Sequence, residues 1–358
     1  RRHINMSLTV PAGVRDENYR QAIAIVKTKT QWGLAIAGLI MLFIMPLLLD
    51  DYFNNFVALI CINMTVVLGL NLLTGYCGQI SLGQSAFVAV GAYSAGILYA
   101  KYGVSFPGAT FFAILISAAF GIIVGLPSVR LKGFYLALST VAFQFIVYWL
   151  LFKADALTGG GYGLALPAVK FFGITFDTRL EVAYLCITTV VVLAYFAKGI
   201  ARSKAGRAFI AIRDNDLAAE VMGIALTKTK LTAFVISSIY AGLAGALYAL
   251  LFRFLMPDLF TLAHSVWYLA MVIVGGMGSL LGSILGTVFI VCLQEITRVW
   301  FASLAGAFPN VLSVGMGTGI SHAALGLALV LFLIFEPRGL SHRWETIKST
   351  CRLWPFSY

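Results

Sequence analysis

Three groups of polar residues interrupt a chain built mainly of aliphatic and aromatic side chains. The densest is "RSKAGRAFIAIRDNDLAAEVMGI", residues 202–224. It gathers Arg202, Lys204, Arg207, Arg213, Asp214, Asp216 and Glu220 in a protein that is only 11% charged. Ala205 to Arg213 reads as a short helix, and Asp214, Asn215 and Asp216 offer N-cap side chains for a second one. That second helix runs through Leu217–Met222, with Gly223 placed to end it. Helices this short are marginal alone in water, so the pair needs a surface to pack on. Ile212, Leu217, Val221 and Met222 supply apolar contacts, and the charges rim them. The chemistry on offer is docking, set against the plainer reading of a basic loop that only orients the chain.

The second group is "GYCGQISLGQSAF", with Gln79, Ser81, Gln84 and Ser85 between glycines, joined by Ser139, Thr140 and Gln144 further on. Thr140 and Gln144 are an i,i+4 pair on one helix face. Uncharged amides and hydroxyls of this kind suit a path for a zwitterion or a neutral solute. They also suit close helix packing, as small-residue interfaces do, and Gly75 and Gly78 read that way. The third group is Glu295 with Arg298, at i,i+3, which reads as a local structural ion pair near a span end. His264 and His322 lie at span ends and read as interfacial. "GGGYG" at 159–163 lacks the Thr-Val that precedes a potassium filter and lies outside the apolar runs.

Several chemistries have no motif to carry them. No G-x-x-x-x-G-K followed by Ser or Thr is present to cradle a nucleotide phosphate, and neither H-E-x-x-H nor G-x-S-x-G occurs. The five cysteines show no C-x-x-C or Cys/His spacing, so they read as small packing residues.

The elements that must position these groups are membrane helices. The chain has 358 residues, 60% hydrophobic, and a mean hydropathy of +0.93, far above an ordinary soluble domain. Ten apolar stretches are long enough to cross about 30 Å of hydrocarbon. They lie near 33–49, 54–73, 80–100, 109–128, 134–152, 180–197, 230–252, 262–277, 280–301 and 322–335. With the N-terminus inside, the inner segments hold eighteen of the 25 Lys and Arg residues and the outer segments five. Lys230 and Arg298 fall within spans. This asymmetry predicts ten crossings with both termini cytoplasmic. The net charge of +11 is therefore assigned to inner loops and anionic lipid rather than nucleic acid.

The expected organisation is a polar basic segment over 1–32 without a removable signal peptide, a membrane-spanning domain over 33–341, and a cytoplasmic tail over 342–358. Residues 198–229 form the inner charged loop. Residues 153–179 form an outer loop, too long to be structureless and expected to fold against the outer mouth or a partner.

The opening stretch resembles the cytoplasmic coupling loop of ATP-binding-cassette importer permeases. Ala218, Ala219 and Gly223 match the second half of the Glu-Ala-Ala…Gly signature, while Leu217 stands where Glu is usual. More closely, "RAFIAIRDNDLAAEVMGI" resembles permease subunits of the branched-chain amino acid importer family, the LivM type. "GLNLLTGYCGQISLGQSAFVAVGAY" (69–93), "LKGFYLALSTVAF" (131–143), "LTGGGYGL" (157–164), "GGMGSLLGSILGTVF" (275–289) and "FEPRGL" (335–340) follow in the family's order.

The resemblance covers about 33–341 and implies an all-α permease fold in a cell membrane. It implies a homologous LivH-type membrane subunit, two cytosolic ATPases and an extracytoplasmic solute-binding protein as partners. On it, Gly206, Arg207, Arg213, Asp214, Asp216, Ala218, Ala219, Glu220 and Gly223 form the ATPase-coupling loop. The translocation candidates are Gln79, Ser81, Gln84, Ser85, Thr140 and Gln144. This chain is expected to hold no cofactor, with ATP and magnesium on the ATPases, and so to be no enzyme. An ion-coupled transporter would carry acids near mid-membrane, and Glu295 is the only acid well inside a predicted span. Branched-chain amino acids are the expected cargo; urea, short amides or other amino acids are the alternatives within the family.

Overall fold

The computed structural model describes residues 29–128, 131, 133–171, 174–175, 178–307, 314–336 and 339–353. Most of the expected segment 1–32, together with Arg130, Lys132, Arg338 and residues 354–358, lies outside them. The architecture is helical: α1 (Lys29–Leu48), α2 (Asp51–Leu70), α3 (Gln84–Ala100), α4 (Phe106–Ser128), α5 (Phe134–Lys153), the single turn α6 (Asp155–Thr158), α7 (Arg179–Arg202), α8 (Lys204–Asp214), α9 (Asp216–Val221), α10 (Leu226–Phe252), α11 (Leu262–Gly275), α12 (Leu280–Ala307), α13 (Val314–Phe335) and α14 (Leu340–Leu353). A helix lies in each of the ten apolar stretches. Among the described residues, seven helical segments are long and apolar enough to cross a membrane, and α3, at 17 residues, is shorter.

The core is built around α2 and α10. A helix apolar on every face belongs in the interior or in lipid, and these two take the interior, most of their apolar length being buried. Small residues let the neighbours approach closely. A Cβ at Gly91 of α3 would overlap the backbone of Gly242 in α10, and one at Gly69 of α2 would meet the side chain of Tyr240. Peripheral helices are apolar outside instead. Met41 and Leu48 of α1, Ile123 of α4, Trp149 of α5 and Phe196 of α7 are all exposed, as a lipid-facing surface requires.

Two breaks in regular helix matter for function. α2 continues as a π-helical turn, Asn71–Tyr76, and the chain then runs irregularly to Gly83. Wide turns of this kind recur at functional sites. At the opposite end of α10, strand β4 (Phe254–Leu255) pairs antiparallel with β1 (Leu164–Ala165), and the Leu166 N–H donates to the Arg253 carbonyl at 2.8 Å. Strands β2 (Lys170–Phe171) and β3 (Ile174–Thr175) form a separate hairpin. Within the long 153–179 segment, residues 164–166 are thus joined to the end of α10.

Candidate functional site

The charged island folds as two capped helices, as its sequence predicts. Ser203, in extended backbone, starts α8 by accepting the Gly206 N–H on its hydroxyl at 3.4 Å. Gly206 is needed because a Cβ there would overlap the carbonyls of Ile200 and Ala201. Of the three possible caps for the next helix, Asn215 is the one used: its Oδ1 accepts the Ala218 N–H at 3.1 Å. Gly223 ends α9 at φ +84°, a left-handed conformation that favours glycine. The Ile224 N–H then reaches the Ala219 carbonyl and the Gly223 N–H reaches that of Glu220, the Schellman arrangement.

The pair has an inner and an outer face. Phe209, Ile212 and Ala219 are buried against Leu73, Cys77, Leu136, Ala233 and Phe234. Leu217, Val221 and Met222, by contrast, are 69%, 87% and 81% exposed. The four apolar residues read from sequence as one contact set are therefore divided, with only Ile212 turned inward. The two alanines are divided as well. Ala218 is exposed and Ala219 is 3% exposed, so Ala219 packs on its own chain. Arg207, Asp214 and Glu220 are exposed; Arg207 Nη1 donates to the Arg202 carbonyl at 3.1 Å.

Two polar contacts fix the island to the irregular stretch that follows α2. Arg213 Nη1 donates to the Gly75 carbonyl at 2.8 Å, and its Nη2 lies 3.4 Å from Asp214. Gly78, at φ +73°, leaves room for the aliphatic part of Arg213, where a Cβ would stand 2.9 Å from Cγ. Asp216 pairs with Lys230 at 2.9 Å. Lys230 is only 5% exposed, and a buried charge of this kind requires its partner. Asn71 completes the joint by donating to the Ser279 carbonyl at 3.0 Å and accepting the Gly278 N–H at 2.9 Å. Island, π turn and the glycine-rich link between α11 and α12 thus meet at one end of the bundle. Cys77 lies in the same joint, and burial pushes its thiol up to about 12, so it is not a poised nucleophile.

All six translocation candidates are buried within the chain. Three of them tie helices together. Gln84 Nε2 donates to Ser237 Oγ of α10 at 3.1 Å, and Thr140 Oγ1 accepts the Leu82 N–H at 3.0 Å. Gln144 Nε2 donates to the Phe260 carbonyl at 2.6 Å, while its Oε1 accepts from Ser265, whose Oγ also accepts the Ser85 N–H. The other three keep open valences. Among the described residues, the Gln79 side-chain amide and the Ser81 and Ser85 hydroxyls have no hydrogen-bond partner. Gln79 lines a cavity of about 190 Å³ with Cys77, Gly78, Leu131, Gly133, Leu136, Ile212, Arg213, Asp216 and Lys230.

Sequence reading missed Asn71, Ser237 and Ser265, isolated or paired small polar residues within largely apolar runs, Ser237 beside Ser238 and Ser265 beside His264. Lys230 carried a signal, since a charge inside a predicted span demands a partner. Glu295 and Arg298 do form their local pair, joined by the Tyr52 hydroxyl from the start of α2.

Comparison with known proteins bears on this arrangement. The family described as "Branched-chain amino acid transport system / permease component" matches residues 52–335. The high-affinity branched-chain amino acid transport system permease protein LivM of Salmonella typhimurium is 36% identical over 297 residues, covering 76% of this chain and 66% of that protein. The Escherichia coli protein of the same name is 33% identical over 329 residues, covering 85% of this chain and 73% of that protein. A probable branched-chain amino acid transport permease protein LivM of Methanocaldococcus jannaschii is 25% identical over 310 residues, covering 77% and 89%. The chain therefore spans roughly two thirds to nine tenths of the length of these relatives. No solved structure matches.

Proposed function

The chain belongs to the branched-chain amino acid transport system permease family, and from that premise we propose that it is one membrane subunit of an ATP-driven importer for branched-chain amino acids. The observation that carries this reading is the two-faced island. One face is locked into the membrane body through Ala219, Ile212, Arg213 and the Asp216–Lys230 pair. The other presents Leu217, Val221 and Met222, three large apolar side chains left exposed by the described residues. A surface like that is suited to a partner that pushes and pulls on it. We assign that partner as a cytosolic ATPase, since no phosphate-binding loop occurs in this chain.

The remaining parts of the proposal follow from the same placement. The chain crosses the membrane ten times with both termini cytoplasmic, which puts the island, the π turn and the α11–α12 link on the cytoplasmic side. A LivH-type subunit completes the membrane unit, a second ATPase serves that subunit, and an extracytoplasmic binding protein delivers cargo to the outer mouth. The route for cargo runs past the irregular stretch 79–85. Unpaired buried hydroxyls at Ser81 and Ser85 support a route that is shut in this conformation, with Gln79 at its inner mouth. Gln84, Thr140 and Gln144 hold the helices that border it. Movement of the island is then passed to residues 75–79 through Arg213, at the point where the route would open.

The test is uptake of labelled leucine, isoleucine, valine, urea and glutamate by proteoliposomes holding the membrane subunits, the ATPases and the binding protein. ATP-dependent, vanadate-sensitive uptake of the three branched amino acids is the expected outcome. Uptake of urea or glutamate alone moves the substrate to another member of the family's range. Uptake driven by an ion gradient without ATP overturns the proposal.

A further inference from the structure

The cavity beside Gln79 has walls that a route for cargo does not explain. Its lining includes the Gln79 side chain, 4% exposed, with neither amide atom partnered among the described residues. A buried amide left unpaired is costly, so such a group is expected to meet a ligand or water. Around it stand both signs of charge: Arg213, one of whose nitrogens already donates to the Gly75 carbonyl, and Asp216 in its ion pair with Lys230, so a ligand would add to this pair rather than part it. A plain anion would meet the Asp216 carboxylate and a plain cation would meet two bases. A molecule bearing both charges on neighbouring atoms fits all three residues, and the amide supplies a donor for its carboxylate and an acceptor for its ammonium. The lining is mainly polar, with Leu131, Leu136, Ile212 and Cys77 adding a smaller apolar part and Gly78 and Gly133 only backbone. At about 190 Å³ the space is below the usual range for drug-sized ligands and suits one small amino acid.

We infer that this cavity binds a free aliphatic amino acid from the cytoplasmic side, between the coupling island and the α2–α3 junction. The inference rests on the transport reading for its orientation and for the class of molecule at hand. Its consequence is mechanical. Arg213 and Asp216 belong to the island, while Gln79 belongs to the membrane body, so a bound zwitterion bridges the two across the joint that must move. Cargo accumulated inside the cell would thereby stabilise one position of the island over the other, by as much as it binds that position better.

The experiment uses the full complex in inside-out and right-side-out vesicles without the binding protein, with leucine, leucinamide and isocaproate as probes. Leucine is expected to bind only where the cytoplasmic face is accessible. Leucinamide lacks the carboxylate and isocaproate the ammonium, so each is expected to bind about tenfold or more weakly, the loss of one charged hydrogen bond. Gln79→Leu is expected to lower leucine binding by a similar factor, whereas Tyr162→Ser, at an exposed position away from the cavity, leaves it unchanged. If Gln79→Leu does not assemble, Leu136→Phe, which narrows the cavity, must give the same loss. Equal binding of leucine and isocaproate, or wild-type binding in an assembled Gln79 or Leu136 variant, overturns the inference. Leucine uptake by the wild-type complex is read separately: uptake without cytoplasmic-side binding sinks only this inference, and binding without uptake sinks only the transport reading.

Discussion

Gln84 shows how a buried polar residue is judged one atom at a time. Its amide and the Ser237 hydroxyl exchange hydrogen bonds, with Nε2 donating to Oγ and Oγ to Oε1, both within 3.3 Å. Removing one partner of a buried pair leaves the other unsatisfied, whereas removing both does not. Gln84→Leu is therefore expected to destabilise the chain by about 1–3 kcal/mol, and Ser237→Ala alone by a similar amount. The double variant is expected to recover most of that loss. Thermal unfolding of the detergent-solubilised complex, run as a double-mutant cycle, checks it. Additive losses would mean that the two residues do not act as a pair. Restored stability with lost transport would return Gln84 to the lining of the route.

At the scale of the element, α9 does two jobs that its sequence compresses into six residues. Ala219 faces the membrane body, where a larger side chain would press on Leu73, Cys77 and Phe234. Val221 and Met222 face away. Replacing both with Asp is expected to leave the chain inserted, since neither touches the buried cluster. Docking of the ATPase should fall sharply, because each apolar side chain taken from an interface forfeits about 1.5–3 kcal/mol. Co-purification of the ATPase and substrate-stimulated hydrolysis in nanodiscs measure the effect. Wild-type docking should change little between low and high salt, since screening weakens exposed charge pairs rather than apolar contact. Undiminished docking in the double variant, or a docking that salt abolishes, would leave the island as a basic loop that only orients the chain.

For the molecule as a whole, the distribution of charge and the placement of the island make one testable statement about sidedness. Lys204 and His342 are exposed, and cysteines introduced singly there are expected to be labelled from the cytoplasmic side alone. Tyr162, 93% exposed in the segment expected to lie outside, is the matching position for labelling from outside. It is preferable to Gly160, whose φ of +53° and crowding by Asp155 make any side chain strained. Outside labelling at residue 204 would overturn the orientation, and with it the coupling role of the island.

What the sequence alone determined is local in origin. A helix in hydrocarbon must satisfy its backbone within itself, so the apolar stretches marked their helices, and short-range caps at Ser203, Asn215 and Gly223 marked the island's breaks. The family was legible for a related reason, because its motifs are contiguous runs such as 69–93 and 202–224. Only the tertiary structure decided which polar residues meet. Arg213 finds Gly75, Gln84 finds Ser237 and Asn71 finds the 278–279 turn, partners separated by 138, 153 and about 207 positions. No periodicity encodes such distances. The same holds for the division of Ala218 from Ala219. Adjacent helical residues point about 100° apart, and which of them faces inward depends on where Phe209, Ile212 and the α10 helix come to rest.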